Sequence, residues 1–182
     1  YIGLFGTTKK ATIKNICIED CLISGKFEDC GYIGTLCGLS NYSTFHNIKI
    51  SNSRLSKEEG DDGAGLQRIG GIVGYSYTYD ATWRAVLISN SSFEGTISLS
   101  FRSKSGFFDN QSMYCGGIIG TSDSGVITNC TVRGNMYVQK KQEESEYEVE
   151  LYLGGLAGSH YGPLTNSVNY MDTHLYCSTF QE

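Results

Sequence analysis

The chain has 182 residues, enough for one domain of ordinary size. It holds 23 glycines, one proline and only 18% charged residues, and Tyr, Ile, Thr, Ser and Asn are abundant, which favours strands and turns over helices. A net charge of −5 without a basic stripe argues against a nucleic-acid partner, and no apolar run is long enough to span a bilayer.

In chain order, the first element is "YIGLFG", already strand-like. With no starting methionine and no signal-peptide pattern, residues 1–182 read as a single domain cut from a longer protein. Its apolar core recurs along the chain as "GTLCG", "GGIVG", "GGIIG" and "GGLAG", the five segments ending at Gly6, Gly38, Gly74, Gly120 and Gly158. Each is followed by a second block: "TIKNICI", "TFHNIKI", "LISNSSF", "VITNCTV" and "PLTNSVN". An apolar residue (Ile13, Phe45, Ile88, Ile127, Leu164) stands two places before an asparagine (Asn15, Asn47, Asn90, Asn129, Asn166) in every one. The glycine-to-asparagine distance is nine residues in three repeats, eight in the fifth and sixteen in the third, where "YSYTYDATWR" is inserted. The repeat spacing varies from 32 to 46 residues, which suits stacked coils with loops at some corners better than propeller blades of constant length.

Side chains alternate faces along a strand, and this alternation breaks at the asparagines. The apolar positions change parity there, so a bend is expected at each, and Asn tolerates the left-handed conformation that a bend requires. Its amide both donates and accepts, so a buried, self-satisfying ladder of Asn15, Asn47, Asn90, Asn129 and Asn166 is expected. Two adjacent apolar columns precede it: Leu4, Leu36, Ile72, Ile118, Leu156 and Phe5, Cys37, Val73, Ile119, Ala157. Neighbours on one strand cannot both face inward unless the backbone kinks at the glycines. The sequence leaves open which column faces the core.

These two blocks resemble the GLUG motif, named for its Gly-Leu-any-Gly core, over residues 1 to about 175. The resemblance implies an all-β, right-handed parallel β-helix (β-solenoid) of about five coils with irregular inserted loops, at the surface of a bacterium or secreted from it. Proteins with this repeat include adhesin-like surface proteins and the non-catalytic regions of immunoglobulin-A-cleaving metallopeptidases, so the repeat implies no single activity. The second repeat departs from the pattern with Thr35 in place of glycine. The fifth departs with Pro163 and with Asn169 at an otherwise apolar position, as an irregular or capping coil would.

Function is expected in the insertions. Three of them (56–66, 100–112 and 139–150) should emerge from one corner of the stack, and 75–84 from the other end of a glycine strand, so that the loops wall a groove. Tyr75, Tyr77, Tyr79 and Trp83 are the candidate binding residues. Alternation puts the three tyrosines on one face, where they either stack on sugars or anchor a protein partner, or simply cover the side of the fold. Glu143, Glu144, Glu146, Glu148 and Glu150 read as a solvated edge, with calcium ligation as the alternative. No metal or other cofactor is expected.

Cys37, Cys115 and Cys130 fall in apolar columns and are expected to be buried free thiols. Cys17, Cys21, Cys30 and Cys177 leave room for one disulfide. His46 and His160 are expected at the surface. No H-E-x-x-H, G-x-S-x-G or P-loop motif occurs, and Asp80 and Asp123 are the only acids placed near the groove, too few for a glycosidase or lyase. The expected function is therefore a non-catalytic extracellular module: stalk, scaffold or adhesive platform. Its expected partners are a host glycan, a host protein or the flanking domains of its own chain. The alternatives are an accessory substrate-binding domain of a secreted immunoglobulin-A-type metallopeptidase, and a polysaccharide-binding or polysaccharide-cleaving β-helix.

Overall fold

The computed structural model describes residues 1–26, 31–58, 66–79, 86–103, 111–142 and 149–179. Their regular structure is all β, and the strands pair in parallel in three sheets. A five-stranded sheet runs Phe5–Lys9, Cys37–Asn41, Val73–Tyr77, Ile119–Ser122 and Ala157–His160, one strand from each repeat in sequence order. A four-stranded sheet stacks Gly31–Gly34, Gln67–Gly70, Gln111–Gly116 and Val149–Gly154 in the same order. The nine-stranded third sheet holds the asparagine blocks and the strands C-terminal to them, with Ser43–Glu58 at its centre.

The register follows the sequence columns. Phe5 pairs with Cys37, Cys37 with Val73, Val73 with Ile119 and Ile119 with Ala157. Ile13, Phe45, Ile88, Ile127 and Leu164 likewise pair in succession. Side chains from all three sheets merge into one hydrophobic cluster. The column Ile18, Ile50, Phe93, Val132 and Asn169 pairs in succession through the nine-stranded sheet. Its middle members Ile50, Phe93 and Val132 are buried, while Asn169 is exposed.

Both adjacent apolar columns face this core. Leu36, Ile72 and Ile118 are buried, as are Cys37, Val73 and Ile119. The chain bends between the four-stranded and five-stranded sheets at these residues, so alternation restarts and two neighbours point inward. The bend requires glycine: a Cβ on Gly70 would lie 1.9 Å from the Val73 carbonyl oxygen and 2.7 Å from the Gly120 nitrogen. In the first repeat, packed from one side only, Leu4 is exposed.

A second bend falls at the asparagines. All five (Asn15, Asn47, Asn90, Asn129, Asn166) have positive φ, from 49° to 58°. The expected burial of their ladder is overturned, because all five are exposed. In the three middle repeats the residues at n−2, n+1 and n+3 are all buried around the corner, which leaves the side chain of the bending residue on its convex side. The amides still bond, in pairs: Asn47 Nδ2 donates to Asn15 Oδ1 at 2.8 Å, and Asn129 Nδ2 to Asn90 Oδ1 at 3.0 Å.

Inside the same corner a different device satisfies the backbone. Ser91 Oγ donates to the Ser89 carbonyl and accepts from the Ile48 N–H of the repeat below. Ser167 Oγ does the same with the Thr165 carbonyl and the Cys130 N–H. Cys130 Sγ takes the donor half of this role, to the Thr128 carbonyl. In the last three repeats the small residue directly after the bend (Ser91, Cys130, Ser167) thus bonds backbone groups at the corner, whereas Ile16 and Ile48 hold that position in the first two.

Candidate functional site

The five-stranded and four-stranded sheets position the candidate tyrosines. In Val73–Tyr77, Ser76 is buried while Tyr75 and Tyr77 turn outward, as alternation predicts. Tyr79 follows at 86% exposure. Tyr75 and Tyr77 stack with ring centroids 5.8 Å apart, and Tyr77 meets Tyr79 edge-on at 5.0 Å. The Tyr42 hydroxyl, from the preceding repeat, accepts from Thr78 Oγ1 and the Tyr79 N–H, which fixes the exit of the strand. Trp83 and Asp80 lie outside the described residues, as do Phe107, Phe108, Glu143, Glu144, Glu146 and Glu148.

The structure adds a column that the repeat alignment did not single out. Tyr32, Arg68, Tyr114 and Tyr152 pair in register across the four-stranded sheet. Their neighbours Ile33, Ile69 and Cys115 are buried, so this column forms the outer face. Its sequence signature is plain in retrospect: each member stands two residues before the first glycine of its repeat (Gly34, Gly70, Gly116, Gly154).

Across the bend, the outer faces of the two sheets meet. Tyr75 packs edge-on against Tyr32 at 5.0 Å, and Tyr32 stacks on Tyr1 at 5.2 Å. The Arg68 guanidinium carbon lies 3.9 Å from the Tyr75 ring centroid, 5.1 Å from that of Tyr32 and 5.8 Å from that of Tyr114. Tyr114 in turn stacks flat on Tyr152 at 4.5 Å. The result is one aromatic surface threaded by an arginine.

Asp123, on the turn after Ile119–Ser122, accepts a hydrogen bond from the Tyr75 hydroxyl at 2.8 Å. Burial first, and then this bond and the Asp123 charge, hold the Tyr75 phenol protonated well above the usual tyrosine range, against the opposing effect of Arg68. Rings in contact with a cation and with one another offer flat, rigid area with polar tips, which suits sugar stacking or peptide docking.

Ser43–Glu58, Ser92–Ser103 and Thr131–Gln142 of the nine-stranded sheet are each followed in the chain by a strand of the four-stranded sheet. Most of the expected insertions (59–65, 80–85, 104–110 and 143–148) lies outside the described residues. Glu150 accepts from Ser112 Oγ and the Tyr152 hydroxyl. Among the described residues no group of three or more His, Cys, Asp or Glu is placed to hold a metal ion. Cys37, Cys115 and Cys130 are buried free thiols, and Cys17, Cys21 and Cys177 are free as well. His46 bonds Ser89 Oγ through Nδ1. His160, expected at the surface, is half-buried; its Nε2 lies 3.4 Å from the Pro163 carbonyl and its Nδ1 is enclosed without a partner.

In comparisons with known proteins, the chain matches no family model, no curated protein and no solved structure.

Proposed function

We propose that the chain is a right-handed parallel β-helix of about five coils and a non-catalytic binding module, displayed outside a bacterial cell as part of a longer surface or secreted protein. Three parallel sheets stacked in repeat order around one core support the helical reading. The binding reading rests on one observation above all. The rings of Tyr1, Tyr32, Tyr75, Tyr77 and Tyr79 touch in succession over the outside of two sheets, and the terminal members are exposed. A fold needs no such ribbon to bury its core, and exposed aromatic area of this kind is typical of recognition surfaces. The ligand class that fits is a glycan chain, whose sugar faces stack on successive rings, with a host protein as the competing partner.

The test is binding of the chain to an array of glycans, mucin, matrix proteins and immunoglobulin A, beside a Tyr77→Ala, Tyr79→Ala variant. A signal lost in the variant, with the circular dichroism spectrum unchanged, supports the module as a recognition surface. A variant that binds as well as the parent removes the tyrosine ribbon from consideration, and a folded chain that binds nothing favours a spacer.

A further inference from the structure

Arg68 sits at the centre of the aromatic surface. No carboxylate among the described residues forms an ion pair with it, and its Nε is enclosed without a hydrogen-bond partner. The faces of Tyr75, Tyr32 and Tyr114 attract the guanidinium but accept none of its N–H bonds in plane. Its donor fork is the group that matches a carboxylate in bidentate geometry. At the hydroxyl end of the Tyr75 ring that Arg68 covers, the Asp123 carboxylate takes one bond from Tyr75 and retains lone pairs to accept from a hydroxyl. Flat phenol faces flank both groups.

We propose that Arg68, framed by Tyr32, Tyr75 and Tyr114, is the carboxylate-binding subsite of this surface, and that its ligand is an acidic glycan built from uronic acid units. The inference rests on the binding-module reading and names the ligand class for it. Arg68 takes the sugar carboxylate, Asp123 accepts a ring hydroxyl, and the exposed rings of Tyr79 and Tyr152 receive the neighbouring sugars. An acidic peptide supplies the carboxylate but not the rigid ring bearing hydroxyls, so the glycan fits more of the site.

The experiment titrates the chain with oligosaccharides of polygalacturonate, alginate and hyaluronate, with their methyl esters, with polyglutamate and with neutral glycans. The esters keep ring and hydroxyls and lose the charge. At least one acidic oligosaccharide is expected to bind in a salt-sensitive manner, its ester about tenfold or more weaker, as when a charge-assisted bond is lost. Arg68→Gln should reproduce that loss on the acid and leave the ester unchanged. Arg68→Lys, which keeps the charge and the fold but not the fork, should be intermediate. Acid and ester binding alike, or Arg68→Gln binding like the parent, overturns the subsite while Tyr77→Ala, Tyr79→Ala still reports on the platform. Polyglutamate binding as tightly as the best oligosaccharide overturns the glycan in favour of a peptide. A neutral glycan bound while every acidic one fails overturns the inference alone. The acid–ester comparison uses the parent protein, so it stands even where a variant fails to fold.

Discussion

Asn129 donates its amide to Asn90 across 3.0 Å on the convex side of the corner, and both residues hold positive φ. Two effects are therefore combined in one side chain. The left-handed backbone disfavours any residue with a Cβ other than Asn or Asp by about 1–2 kcal/mol. The exposed amide bond adds about 0.5–1.5 kcal/mol at most. Asn129→Ala loses both and should cost about 1.5–3.5 kcal/mol in urea unfolding. Asn129→Gly keeps the backbone freedom and should cost less than half of that. Equal costs for the two would show that the bond, and not the conformation, selects asparagine.

At the other bend sterics decide. The Cβ of Gly70→Ala would lie 1.9 Å from Val73 O, 2.7 Å from Gly120 N and 2.8 Å from Ile119 Cα, all backbone atoms of strands locked in register. Overpacking that no side-chain rotamer relieves should cost about 3 kcal/mol or more. Gly6→Ala is the control: its nearest neighbour is Tyr1 O at 3.8 Å, an ordinary contact, and its change should stay within about 1 kcal/mol. Denaturant midpoints for the pair test the assignment of the close backbone approach between repeats to Gly70.

Much of this was legible because pairing preserves sequence columns. The series from Phe5 to Ala157 and from Ile13 to Leu164 are register partners, as the repeat alignment predicts. The bend at each asparagine was legible from the parity of Phe45, Ile48 and Ile50. The direction of the asparagine itself was not, because parity locates a corner without saying which side its side chain takes. Tyr75 and Tyr77 followed from alternation. Arg68 did not, although Tyr32, Arg68, Tyr114 and Tyr152 share one repeat position. Their meeting with Tyr75 is created by the bend at 70–72, a tertiary relation that no spacing encodes.

Thiol chemistry should divide the cysteines by burial. Desolvation pushes the Cys115 thiol up, and does so for Cys37 and Cys130 against bonds that pull the other way, so none of the three offers thiolate near neutral pH. Cys17 and Cys177 are exposed and Cys21 partly so. Alkylation of the native protein, mapped by peptide mass, should modify Cys17 and Cys177 promptly, Cys21 more slowly, and Cys37, Cys115 and Cys130 only in denaturant. Prompt labelling of Cys115 would contradict the packing of the four-stranded sheet against the core.

His160 should give the fold an acid sensitivity. Its ring Nε2 lies 3.4 Å from the Pro163 carbonyl, while Nδ1 is enclosed without a partner. Burial, outweighing that contact, lowers its pKa below the ordinary histidine value. The sign depends on which state binds the proton first. At pH well above about 6.5 the ring is neutral in both states, and His160 adds no pH dependence. As the pH falls through about 6.5 the unfolded chain takes up the proton before the folded one, so stability is lost until the folded pKa is passed. Urea midpoints at about pH 7.5 and about pH 5 should therefore differ more for the parent than for His160→Gln, which keeps an N–H donor near Pro163 and cannot titrate. His46, His174 and the carboxylates are common to both proteins, so the difference isolates one ring. A variant with the same pH dependence as the parent would mean that Nδ1 reaches solvent and that the final turn of the fold is more open than this packing allows.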